Sequence, residues 1–151
     1  MAVTLKLRQA INVDGNVVEG NALVDQAITL TTGQQYAVEG KTIADNYGED
    51  VLWATGDGGL DTFTHGFIKS DNPIWVQLRN DDTGAVEYVR MFIPANVLAF
   101  LPGKVAGNTT DAFDGAVLVD NTDYADVDQI QVMRDAAEAA GDATVSLYLF
   151  G

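Results

Sequence analysis

Residues 73–102 read PIWVQLRNDDTGAVEYVRMFIPANVLAFLP. Two runs rich in β-branched and aromatic residues, 74–79 and 85–93, flank the polar cluster Asn80-Asp81-Asp82-Thr83-Gly84. An apolar run, a short turn with a glycine free to take positive φ, and a second apolar run predict a β-hairpin. Ile74, Val76 and Leu78 share one face of the first strand, with Trp75, Gln77 and Arg79 on the other. In the return strand Val86, Tyr88, Arg90 and Phe92 oppose Glu87, Val89, Met91 and Ile93. Both of its faces carry apolar side chains, which predicts that the strand is covered on both sides. Pro94 and Pro102 then bracket a bend and a further short strand, because proline interrupts a ladder.

The same periodicity extends outward. Val3, Leu5 and Leu7 alternate with Thr4, Lys6 and Arg8, and Asp14-Gly15-Asn16 supplies a turn before Val17-Val18. Residues 27–31 alternate again, and 35–38 follow within hairpin distance. Residues 62–69 form another expected strand, with Gly66 as a bulge. Residues 130–133 and 144–150 alternate, the latter with Val145, Leu147 and Leu149 inward. Residues 39–62 hold five glycines and six acids and read as an irregular insertion, apart from a brief strand at 51–54. Residues 103–111 read as a flexible loop. DAAEAA at 135–140, closed by Gly141, is long enough for a single helical turn and no more.

The expected fold is therefore all-β. It is an antiparallel β-sandwich or jelly-roll-like barrel of eight to ten short strands, with at most one short helical turn near 135–140. With 151 residues, 47% of them hydrophobic, the chain is expected to form a single β domain spanning 1–151.

Composition narrows the chemistry. There is no cysteine, which removes disulfides, thiolate metal ligands and cysteine nucleophiles. The net charge is −14, and residues 105–151 hold nine acids against Arg134 alone. So acidic a surface repels phosphate backbones, and direct nucleic-acid binding is not expected. No apolar run approaches the roughly 20 residues of a membrane helix, and no signal-peptide pattern opens the chain. Production in the cytoplasm is the expectation.

The glycine-rich segment lacks both GxGxxG and a GKS/GKT ending, and the acids near Asp57 and Asp61 lack the spacing of an EF-hand. His65, the only histidine, has no G-x-S-x-G elbow to serve. Carboxylate pairs such as Asp57 with Asp61 or Asp123 with Asp126 are inevitable among 22 acids. No catalytic, cofactor-binding or metal-ligating residue is assigned, no cofactor is expected, and the chain is read as non-enzymatic.

VTLKLRQ at the start, the hairpin NPIWVQLRNDDTGAVEYVRMFIP and the terminal ATVSLYLFG resemble small β-sandwich structural proteins of tailed bacteriophages, above all the capsid decoration or cement proteins. The resemblance implies a virion structural protein on the capsid surface, made in the host cytoplasm. It further implies a homotrimer that clamps adjacent copies of the major capsid protein. On this reading Trp53, Trp75, Met91 and Phe92 are the expected partner contacts, although core packing competes for Trp75 and Met91. The alternative is a carbohydrate-binding module or tail-fibre receptor domain, with Trp53, Trp75, Tyr36 or Tyr47 stacking on sugar rings.

Overall fold

The computed structural model describes residues 4–7, 12–13, 16–17, 26–29, 34–45, 48–80, 87–106, 124–134 and 141–151. The expected turns at 81–84 and 135–140 and Tyr47 lie outside them.

The chain divides into two compact units, residues 1–33 and 34–151. In the first unit β1 (Thr4–Leu7) runs antiparallel to β4 (Gln26–Thr29), and β2 (Asn12–Val13) pairs with β3 (Asn16–Val17).

The second unit contains β5 (Gln35–Ile43), β6 (Glu49–Ala54), a 3-10 turn at Asp57–Gly59, β7 (His65–Ser70), β8 (Ile74–Asn80), β9 (Glu87–Ile93), β10 (Leu98–Pro102), β11 (Lys104–Ala106), β12 (Tyr124–Asp126), β13 (Gln129–Arg134) and β14 (Ala143–Phe150). Two four-stranded antiparallel sheets result. The hairpin sheet has the order β6-β13-β8-β9, and the terminal sheet β10-β7-β14-β5. Apart from the β8–β9 hairpin and the small β11–β12 ladder, the chain changes sheet at each step. That order is the connectivity of an eight-stranded jelly roll, laid out as a sandwich. The sheets do not close into a barrel, so the sandwich form of the expectation holds.

Alternation decides what the sheets bury. In β14, Ala143, Val145, Leu147 and Leu149 are all fully buried, while the residues between them are partly or wholly exposed. In β8, Ile74, Val76 and Leu78 do the same, opposite Arg134, Val132 and Ile130 of β13. These side chains join Ile43, Ile68, Leu101 and others in one core. Each such side chain removed from water contributes about 1.5–3 kcal/mol, which outweighs the propensity of any single strand.

Several local expectations change. Much of 39–62 is strand, since it holds the end of β5 and all of β6. Two register shifts conceal this. One lies between Val145 and Leu147, opposite Gly40 at φ +67°. The other lies between Ile130 and Gln131, opposite Leu52. Gly66 is no bulge, because the register runs through it unbroken to β10 and β14. It is glycine because a Cβ there would come within 3.0 Å of Leu101 and Leu149 and 3.1 Å of Phe63. Part of the expected 103–111 loop is β11, paired with β12. Residues 35–38 pair with β14 at the far end of the sequence rather than with 27–31.

Candidate functional site

Both sheets turn a second face outward, and apolar side chains appear on each. On the hairpin sheet the outward positions of β8 and β9 face each other in register: Trp75 with Phe92, Gln77 with Arg90, Arg79 with Tyr88. Trp75 and Phe92 are each 38% exposed, with ring centroids 5.4 Å apart and planes at 59°. The Arg90 guanidinium lies 4.8 Å over the Tyr88 ring, a cation–π contact.

A polar chain crosses this face beside the aromatic pair. Arg90 Nε donates to Gln77 Oε1 at 2.7 Å, and Gln77 Nε2 donates to Gln131 Oε1 at 2.7 Å. The direction follows from chemistry. A guanidinium only donates, so Gln77 must present its oxygen to Arg90 and its amide nitrogen to Gln131. Gln131 sits on the central strand β13, between Val51 of β6 and Gln77 of β8. These groups and Glu49, Met133 and Trp75 line a depression of about 440 Å³. A space of that size lies within the range of roughly 300–1,000 Å³ seen for small-molecule sites.

The terminal sheet's outward face carries an aromatic cluster. Phe67 of β7 meets Phe100 of β10 at 5.8 Å and Phe150 of β14 at 6.2 Å, both edge-on. His65 packs edge-on to Phe100 at 6.1 Å, and its Nδ1 is 2.9 Å from Thr64 Oγ1, so it serves packing. Leu98 and Phe100 are 55% and 53% exposed on β10, an edge strand.

The expected contact residues separate. Trp75 and Phe92 form the exposed pair just described. Trp53 is fully buried, edge-on to Phe63 at 5.4 Å, and presents no surface to a partner. Its Nε1 has no acceptor within hydrogen-bond reach among the described residues. Met91, opposite Val76, is half-buried against the core and points away from the outer face. The double cover expected for β9 is found on its inner side only among the described residues: Tyr88 and Phe92 remain exposed. Tyr36 is no platform either, because its hydroxyl reaches into the sandwich and donates to Leu52 O at 3.0 Å. Burial, with the negative charge of Asp57, pushes its pKa up.

The acids are used as loop ties. Asp71 Oδ1 accepts from Thr144 N at 2.6 Å, and that backbone N–H holds the carboxyl below its usual range. Asp142 Oδ1 accepts from Asp45 N at 3.0 Å, and Asp45 Oδ2 from Gly141 N at 2.9 Å. Asp57 Oδ2 ties its turn back to the end of β6 by accepting from Ala54 N at 2.9 Å, and Asp126 pairs with Lys104 at 2.9 Å. Buried Arg134 donates to Gly141 O at 2.7 Å and to Pro73 O, joining two loops at one end of the sandwich. Asp123 lies outside the described residues. Sequence reasoning passed over Gln77 and Gln131, since two glutamines 54 residues apart carry no motif.

Comparisons with family models, with curated proteins and with solved structures find no match to this chain.

Proposed function

We propose that this protein is a non-enzymatic virion structural protein that binds and stabilises an assembled bacteriophage capsid, as decoration proteins do. The observation that carries the reading is the outward apolar strip on β10, where Leu98 and Phe100 are more than half exposed on an edge strand. An edge strand offers unpaired main-chain groups, and an apolar edge is a liability unless a partner covers it. Strand addition to a neighbouring protein would pair that edge and bury Leu98 and Phe100 in one step. The strip also stands apart from the chain's acidity. Residues 97–104 contain no acid, and β10 lies beside Lys69.

The partner on this reading is the major capsid protein, and copies associate as a homotrimer on the capsid surface. Repeated weak contacts around a symmetric shell would then give tight occupancy through avidity. The test adds purified protein to undecorated shells and follows their thermal disruption. Stabilisation by the unaltered chain, lost with Leu98→Asp, is expected; shells that melt at the same temperature with and without the protein would overturn the reading. Light scattering should report three chain masses per particle.

A further inference from the structure

The outer face of the hairpin sheet has a feature that shell binding does not use. Gln131 is only 8% exposed, although it points away from the core. Its oxygen is taken by Gln77, whose own oxygen is taken by Arg90. The chain of hydrogen bonds therefore ends on the Gln131 amide NH2, which has no acceptor among the described residues. Among the described residues only Trp53 Nε1 is buried without a partner, so the Gln131 N–H groups reach the open space of the depression, where the bond at the amide oxygen fixes their direction and leaves them able to donate to a ligand.

Around that donor the structure places complementary chemistry. Glu49 at the rim supplies a carboxylate, which only accepts. Trp75 supplies a broad apolar ring, held by Phe92 at 5.4 Å. An apolar platform, a fixed donor and an acceptor around one small cavity suit a molecule with one C–H face and hydroxyls at its edge. We propose that this depression binds a neutral pyranose sugar, its C–H face on Trp75 and its hydroxyls read by the Gln131 amide and the Glu49 carboxylate. Neutrality follows from a lining whose one carboxylate, Glu49, is matched by one guanidinium, Arg90, already bonded to Gln77, within a chain of net charge −14 that repels anions at long range. A protein partner fits less well, because Gln131 lies at the floor of the depression, where only a small group can reach it. The site is on the sheet opposite β10, so it is independent of the shell-binding reading.

The test is calorimetric titration of the full chain with the methyl glycosides of glucose, galactose, mannose and N-acetylglucosamine, and with glucuronate as the anionic control. At least one neutral glycoside should bind with a dissociation constant of about 1 mM or tighter, and glucuronate should bind more weakly than glucoside. Gln131→Glu keeps the bond from Gln77 but replaces the donor with an acceptor, and Trp75→Ala removes the platform; each should weaken binding about tenfold or more. Leu98→Asp should leave it unchanged. A readout that needs no variant is acrylamide quenching. Of the two tryptophans only Trp75 is exposed, so the sugar should shield the accessible fraction of the fluorescence. No heat from any neutral glycoside, no shielding, or binding retained in both variants would each overturn the proposal.

Discussion

Replacing Trp53 separates two effects that this structure places on one side chain. The residue is fully buried in the core, edge-on to Phe63, and opposite Ile130 of β13. Trp53→Ala should therefore cost about 3–5 kcal/mol, the range for deleting a large buried aromatic. For a unit of this size that lowers the melting temperature by roughly 10–20 °C, at about 4 °C per kcal/mol. Trp53→Phe keeps an aromatic ring against Phe63 but removes the Nε1 donor, which has no acceptor within reach. An unsatisfied buried donor costs about 1–3 kcal/mol, so its removal offsets much of the lost packing. Trp53→Phe is accordingly expected within about 1.5 kcal/mol of the unaltered protein. Urea unfolding followed by far-UV circular dichroism measures both. Equal losses for the two variants would mean that Nε1 is satisfied in solution. A mild loss for Trp53→Ala would mean that the ring is not in the core, and the assignment of β6 would fail with it.

Three further outcomes follow from the same packing. Gly103→Ala should prevent or severely weaken folding, since its Cβ would overlap Phe63 O, a backbone atom that no rotamer can move aside; Gly59→Ala, at φ +78° with nothing within 4 Å, should cost only about 1–2 kcal/mol of conformational strain in the same melt. The Asp71 carboxyl is held low by the Thr144 N–H, so the stability it contributes is present above about pH 4 and is lost as pH falls through the lowered value. Melts of Asp71→Asn and the unaltered chain should converge toward low pH and differ at neutrality, and a constant difference would refute the linkage. Tyr36→Phe deletes the bond to Leu52 O and should cost about 1 kcal/mol at neutral pH. Because the folded pKa is raised, the unfolded chain ionises first, and the tyrosine's contribution is full below about pH 10 and declines above it. Alkaline melts of the phenylalanine variant should lack that part of the decline.

Strand identity was legible wherever alternation met burial on one face only. The run at 144–150 and the hairpin around 74–93 are read from sequence because every second residue is large and apolar, and the register of β8 with β9 follows from a turn of limited length. Strand order was not legible. β14 lies between β5 and β7, both from the first half of the second unit, and what brings them together is the complementarity of two apolar faces once the chain has collapsed. Nothing local in Gln35–Ile43 announces a partner more than 100 residues away.

The misplacement of Trp53 has its origin in one irregularity. Strict alternation along β6 puts Glu49, Val51 and Trp53 on the same face, and that face is the outer one, where Val51 is 41% exposed. The register shift opposite Ile130 and Gln131 adds Leu52 as an extra residue, so that Trp53 turns inward together with it. The strand then bends at the point where its outward row would have continued with an indole. Val51 faces Gln131 across the ladder, and the row stops there. Had alternation held, a tryptophan would project from the outer face next to Val51, while the core would lose the ring that meets Phe63. The bulge thus supplies a core residue and ends the outer row on the same strand. No pattern of period two can foresee it, because the signal is a single inserted residue whose effect is to reverse the facing of its neighbour.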